Sequence, residues 1–86
     1  MENVREILAT NMRLARQEQG ISQEDLAALA GIDRTYVSGI ERGVRNPTIA
    51  VLAKFAEALR TTSARLLTKG SYAREEQSAT GVVNDR

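Results

Sequence analysis

Apolar residues recur at three- and four-residue steps in the first part of the chain. Between residues 4 and 19 they are Val4, Ile7, Leu8, Met12 and Ala15. This spacing places them on one face of an α-helix, with polar residues on the other. Gly20 follows, as is typical after the last turn of a helix. We therefore predict an amphipathic helix over residues 4 to 19.

Two short helices joined by a glycine turn are predicted next. Ser22 is a good N-cap for the first, whose opening turn is acidic, and Gly31 ends it. Asp33 is the expected cap of the second, which should run from Arg34 to about Arg42. Helices this short are unstable alone in water, so both must pack closely on neighbours.

Two further helices complete the pattern. Thr48 precedes a stripe formed by Ile49, Leu52, Phe55, Ala56 and Leu59. The stretch "RTTSARLL" predicts a short fifth helix capped by Thr62. From residue 68 the chain is polar, with two glycines and no sustained stripe. We predict an all-α domain of five helices over residues 4–67, followed by a flexible polar tail over 68–86.

The residue types present exclude several classes of function. The chain has no cysteine and no histidine, which excludes disulfides, thiolate or imidazole metal sites and histidine-assisted nucleophiles. No glycine-rich phosphate loop is present, so we expect neither an enzyme nor a metal or cofactor. No apolar run approaches the roughly 20 residues that cross a bilayer. We therefore expect a cytoplasmic protein.

The stretch "IDRTYVSGIERGVRN" predicts a helix with a thin apolar face and a polar outer face. Only Val37 and Ile40 offer apolar side chains for burial. A net charge of +1 gives little general attraction for nucleic acid, and three aromatic residues are too few for a single-strand stacking platform. Two short helices around a glycine turn are typical of a helix-turn-helix, in which the second helix enters the DNA major groove.

Residues 8 to 67 resemble the lambda-repressor-like, or XRE, helix-turn-helix family. The motifs that carry the resemblance are "GISQEDLAALAGI", "YVSGIERGVRNPT" and "LAKFAEAL". The narrower stretch "DRTYVSGIERGVRN" also resembles the controller proteins of restriction–modification systems. These resemblances imply a transcription regulator that binds double-stranded DNA as a homodimer on a palindromic operator.

Candidate base contacts lie on the predicted recognition helix, Arg34–Arg42. Arg34 can donate two parallel hydrogen bonds to guanine, Thr35 offers a methyl to a thymine methyl, and Ser38 lies one turn further on. The alternatives are a solvated arginine and an ordinary polar residue of the first turn. Gly39 in mid-helix costs about 1 kcal/mol relative to alanine, so it indicates either close packing or clearance for the groove.

Candidate phosphate contacts surround that helix. Gln23 resembles the family glutamine that holds a phosphate and braces the recognition helix, although it also fits as a plain first-turn residue. Tyr36 either presents its hydroxyl to the backbone or simply packs. Arg42, Arg45 and Asn46 follow where the family loop approaches phosphates, and Arg42 fits equally as a helix C-terminal charge.

Two further sets of residues are assigned to structure and to assembly. In the family, the pair matching Arg16 and Glu41 joins the first helix to the third as a partly buried ion pair. The predicted dimer interface comprises Leu59, Ser63, Leu66 and Leu67. Family members usually have glycine and an aliphatic residue where this chain has Arg60 and Thr61. An alternative function is an antitoxin-type module that binds an unknown partner protein through the tail.

Overall fold

The computed structural model describes residues 3–72, which form five α-helices and no strand. The helices are α1 (Val4–Gln19), α2 (Gln23–Ala30), α3 (Arg34–Glu41), α4 (Ile49–Ala58) and α5 (Ser63–Leu66). The all-α prediction is confirmed. No helix within this span is long and apolar enough to cross a membrane.

Polar side chains begin the helices where the sequence predicted them. The Ser22 hydroxyl accepts from the Asp25 amide while the Asp25 carboxylate accepts from the Ser22 amide, so the two form a capping box. Thr48 and Thr62 likewise accept amides at the starts of α4 and α5. Each bond satisfies a donor that the helix itself cannot, which fixes where short helices begin.

The core forms where the five helices converge. α1 packs on α3 and α5, α2 packs on α3 and α4, and α4 packs on α5. Phe55 and Met12 are fully buried at its centre. Because α2 and α3 are each only eight residues long, this shared core holds them in place.

Two residues of the predicted apolar stripes are exposed at the surface. Val4 is 53% exposed and Ile49 is 86% exposed, so their prediction as core residues is wrong. Each is the first residue of its helix, where the first turn extends past the edge of the packed helices. Leu29, on α2, is also exposed.

The segment after α5 packs against the domain. Buried Asn11 of α1 donates from Nδ2 to the carbonyl oxygens of Leu66, at 2.9 Å, and Thr68, at 2.8 Å. Tyr72 is buried, and its hydroxyl donates to the Thr61 hydroxyl at 2.7 Å. The packed part of the chain therefore extends past α5 to Tyr72. The rest of the predicted tail lies outside the described residues.

Arg60, which follows the C-cap of α4, has an unusual backbone conformation. Its φ is +57°, the left-handed region that glycine adopts most easily. The Arg60 amide donates to the Glu57 carbonyl and the Thr61 amide to the Ala56 carbonyl, which closes the helix end. Glycine would adopt this conformation with less strain than arginine, because it has no Cβ atom.

Candidate nucleic-acid interface

Helix α3 is held to the domain by one narrow apolar face. Val37 and Ile40 are fully buried against the core. On the opposite side Arg34 and Thr35 are exposed and Ser38 is partly exposed. The three predicted base-contact residues therefore share the accessible part of α3, at its start and one turn further along.

Asp33 and Thr35 fix the start of α3. Asp33 Oδ1 accepts the Thr35 amide at 2.8 Å and the Thr35 hydroxyl at 2.6 Å. The hydroxyl bond, the amide bond and the more distant charge of Arg45 hold the pKa of Asp33 below its ordinary value. Since the hydroxyl hydrogen is committed to Asp33, the exposed Thr35 hydroxyl can still accept a hydrogen bond from a ligand but cannot donate one.

Arg45 folds back over α3 instead of extending freely from the loop. Its guanidinium carbon lies 5.2 Å from the centroid of the Tyr36 ring, within the range of a cation–π contact. A Cβ atom added at Gly39 would lie 2.7 Å from Arg45 Cγ. Of the two explanations for Gly39, packing is therefore the one that the structure supports. The Tyr36 hydroxyl also donates to the Asn46 carbonyl at 3.3 Å.

The predicted ion pair forms behind α3. Arg16 donates from Nε to Glu41 Oε2 at 2.8 Å and from Nη2 to Oε1 at 3.0 Å. The Arg16 side chain is 15% exposed and that of Glu41 is 5% exposed. The hydrogen bond from Arg16 to Glu41, with a smaller contribution from the opposite charge, raises the pKa of Arg16. Arg16 also donates to the Ile21 carbonyl, so one side chain connects α1, the α1–α2 turn and α3.

Gln23 joins the same network. Its Nε2 donates to Glu41 Oε1 at 3.0 Å, so Gln23 links the start of α2 to the end of α3. The bracing role implied by the resemblance is therefore present in the structure. Among residues 3–72, the second side-chain amide hydrogen of Gln23 and its backbone amide have no acceptor.

Two arginines near α3 have no side-chain partner in the described part of the chain. Within residues 3–72, the side chains of Arg34 and Arg42 form no hydrogen bond or ion pair. Both are exposed, and Arg42 is the C-cap of α3. Asn46 is exposed in the loop that follows. These groups can meet a ligand without first breaking an internal contact.

Two of the four residues predicted for the dimer interface are buried within the protomer. Leu59 is 2% exposed and Leu66 is fully buried, because both side chains point into the core between α1, α4 and α5. Side chains already buried in one protomer have no surface left for a second. Ser63 is partly exposed and Leu67 is 38% exposed, so only these two remain at the surface.

Sequence reasoning missed the role of Asn11. This residue lies on the buried face of α1, between Leu8 and Met12 in the apolar repeat. A polar residue on that face requires internal partners, and the carbonyls at the end of α5 supply them. The position of Asn11 within the apolar stripe indicates a buried polar residue that needs hydrogen-bond partners. The sequence does not show which groups are those partners.

Comparison with known proteins agrees with the fold. The control protein C.SmaI from Serratia marcescens is 40% identical over 74 residues, which are 86% of this chain and 88% of that protein. The solved structure of the hypothetical transcription factor NHTF from Neisseria has a TM-score of 0.78 at 39% identity, covering 87% of this chain and 88% of that one.

A second solved structure holds DNA. It is the restriction–modification controller protein C.Esp1396I as a tetramer in complex with its natural 35 base-pair operator. The TM-score is 0.69 at 35% identity, covering 77% of this chain and 87% of that one. The helix-turn-helix family itself matches residues 12–66, which span α2 and α3 together with most of the core. This chain therefore belongs to the XRE-type helix-turn-helix family.

Proposed function

We propose that this protein is a sequence-specific transcription regulator that binds double-stranded operator DNA with α3 in the major groove. The observation that carries the proposal is the division of α3 into a buried face and an exposed polar face that begins with Arg34. An α-helix with side chains is about 10–12 Å across and the major groove about 12 Å wide, so such a helix fits the groove. The related C.Esp1396I was solved in complex with its operator, which supports DNA as the partner of this chain.

Base recognition is assigned to the exposed face of α3. Arg34 has no internal partner among the described residues and can donate two hydrogen bonds to the O6 and N7 atoms of guanine. Thr35 is exposed and its hydroxyl is held by Asp33, and its methyl suits contact with a thymine methyl. Ser38 extends this face by one turn and can donate or accept.

Phosphate contacts are assigned to the groups around α3. Arg45, Arg42 and Asn46 lie beyond its C-terminal end, and Gln23 opens α2. Tyr36 has a different role, since its hydroxyl hydrogen is already donated to the Asn46 carbonyl and its ring supports Arg45. We therefore assign Tyr36 to positioning the loop cations.

The protein is proposed to act as a homodimer in the cytoplasm, where operator DNA is accessible. One recognition helix contacts only a few base pairs, and a net charge of +1 adds little unspecific affinity. A two-fold dimer would place two such helices about 34 Å apart on a palindromic site. Ser63 and Leu67 are the remaining candidates for its surface. The antitoxin alternative depended on the tail, most of which lies outside the described residues, and is not proposed.

Sedimentation across a concentration series tests the dimer. Leu67→Glu should shift the equilibrium towards monomer, because it places a charge where an apolar contact would form. Leu29→Glu is a matched control, since Leu29 is a more exposed leucine on a different helix. Equal effects of the two substitutions, or none from either, would remove Leu67 from the interface.

Selection of bound duplexes from a random DNA pool tests the function itself. We expect an enriched motif with two-fold symmetry, and a pool without enrichment would refute sequence-specific binding. On the selected site, Arg34→Ala should cost about 1–3 kcal/mol and relax the choice at one base pair. Lys54→Ala, an exposed cation on α4, is the control. Uniform weakening on all sequences would reassign Arg34 to phosphate contact.

A further inference from the structure

A groove of about 300 Å³ lies between the first half of α1 and the end of α3. Three arginines line it: Arg5 and Arg13 of α1, and Arg42 at the C-terminus of α3. Thr10 and Asn3 add polar atoms to the same wall. None of the roles described above uses Arg5 or Arg13.

The charge of this groove favours an anion. Arg5, Arg13 and Arg42 are exposed and form no ion pair with any residue between 3 and 72. Two carboxylates also line the groove, but that of Glu41 is buried and already accepts hydrogen bonds from Arg16 and Gln23. Only Glu6 opposes the three exposed guanidinium groups.

The chemistry of the three side chains narrows the class of anion. A guanidinium group stays charged at all physiological pH values and presents paired donors that match two oxygens of one phosphate. Three such groups around one opening can surround a phosphate from several sides. A carboxylate ligand would use fewer of these donors, because it offers only two oxygens.

We propose that this groove, called here the α1–α3 groove, binds a phosphate group through Arg5, Arg13 and Arg42. Its position makes the DNA backbone the expected source, an inference that rests on the proposed function. A helix that fills the major groove brings its ends and its neighbours against the phosphates that border the groove. Arg42 ends the recognition helix, so a phosphate beside α3 would lie within reach of α1.

Such a contact would give α1 a direct part in DNA affinity. Basic residues near the DNA determine unspecific affinity through release of counterions, and this chain has a net charge of only +1. Clustering three arginines beside α3 supplies a local positive potential that the chain as a whole lacks. The same groove would also accept free phosphate, so the test must separate the two sources.

The salt dependence of DNA binding tests whether the groove contacts a phosphate of the DNA backbone. It is measured on the selected operator and on an unrelated duplex. Arg5→Gln and Arg13→Gln should each make the slope of log K against log salt concentration shallower by about 0.9, the value for one lost phosphate contact. Affinity for the two duplexes should fall by the same factor, because phosphates carry no base sequence. Lys54→Gln removes an equal charge from α4 and should leave the slope unchanged.

A titration with inorganic phosphate tests whether the groove binds free phosphate. The amide NMR shifts of Thr10 and Gly43 report the binding. Shifts that occur in the unmodified protein and disappear in Arg13→Gln, together with an unchanged salt slope, would support the groove as a site for free phosphate. An unchanged slope without such shifts would overturn the proposal. The proposed function is tested by a different experiment: it fails if the unmodified protein enriches no motif from the random DNA pool.

Discussion

The interaction between Glu41 and its partners allows a sharp test of what holds the recognition helix in place. Glu41 lies at the end of α3, and its carboxylate accepts two hydrogen bonds from Arg16 and one from Gln23, all between 2.8 and 3.0 Å. Glu41→Gln keeps the shape of the side chain while removing the charge. The new amide nitrogen would then face the N–H groups of Arg16 or Gln23, and an amide nitrogen cannot accept a hydrogen bond.

The expected cost follows from the number and burial of these bonds. Removing one partner of a fully buried pair costs about 3–5 kcal/mol, and a hydrogen bond to a charged group contributes about 1.5–3 kcal/mol. Arg16 is 15% exposed and can turn partly towards water, which reduces the loss. We expect about 2–3 kcal/mol, which in a domain of this size lowers Tm by about 10–20 °C.

Thermal unfolding followed by circular dichroism, without DNA, measures this effect. Glu57→Gln is the matched control, since Glu57 is an exposed glutamate on α4 and its substitution should change stability by less than about 0.5 kcal/mol. A Glu41→Gln protein that melts like the unmodified one but binds DNA differently would refute the structural assignment. Glu41 would then have to act at the DNA surface.

Three further predictions concern the ends of the helices. Asn11→Leu should lower the free energy of unfolding by about 1–3 kcal/mol, measured by urea denaturation, because it leaves the carbonyls at the end of α5 without their donor. Arg60→Gly should raise stability by about 0.5–1 kcal/mol because φ is +57° there, whereas Arg60→Ala should not, and equal effects would refute the backbone explanation. The backbone and hydroxyl bonds of Ser22 lower the pKa of Asp25, and the hydroxyl and amide bonds of Thr35 lower that of Asp33. The stability that these caps contribute should therefore be complete above the unfolded-state pKa of 3.8 and be lost as the pH falls below it. The double substitution Asp25→Asn and Asp33→Asn should make stability depend less on pH in that range, as measured by acid unfolding.

Local rules in the sequence predicted the elements of this protein. Three- and four-residue spacing of apolar side chains predicted the first four helices, and capping residues such as Ser22, Asp33 and Thr48 marked where they begin. The exposed face of α3 was predictable for the same reason, since helical periodicity separates Val37 and Ile40 from the polar residues between them. The resemblance to the family supplied the pairing of Arg16 with Glu41.

Only the tertiary structure decided how far each element reaches into the core. Periodicity gives the direction of a side chain but not the length of the neighbouring helix. The sequence therefore predicted that Ile49 is buried and that Leu66 is partly exposed for a dimer contact. In the structure Ile49 is exposed and Leu66 is buried. The partners of Asn11 lie more than fifty residues away along the chain. Likewise, the sequence spaces Arg13 and Arg42 far apart, and they line one groove only because α1 packs against α3.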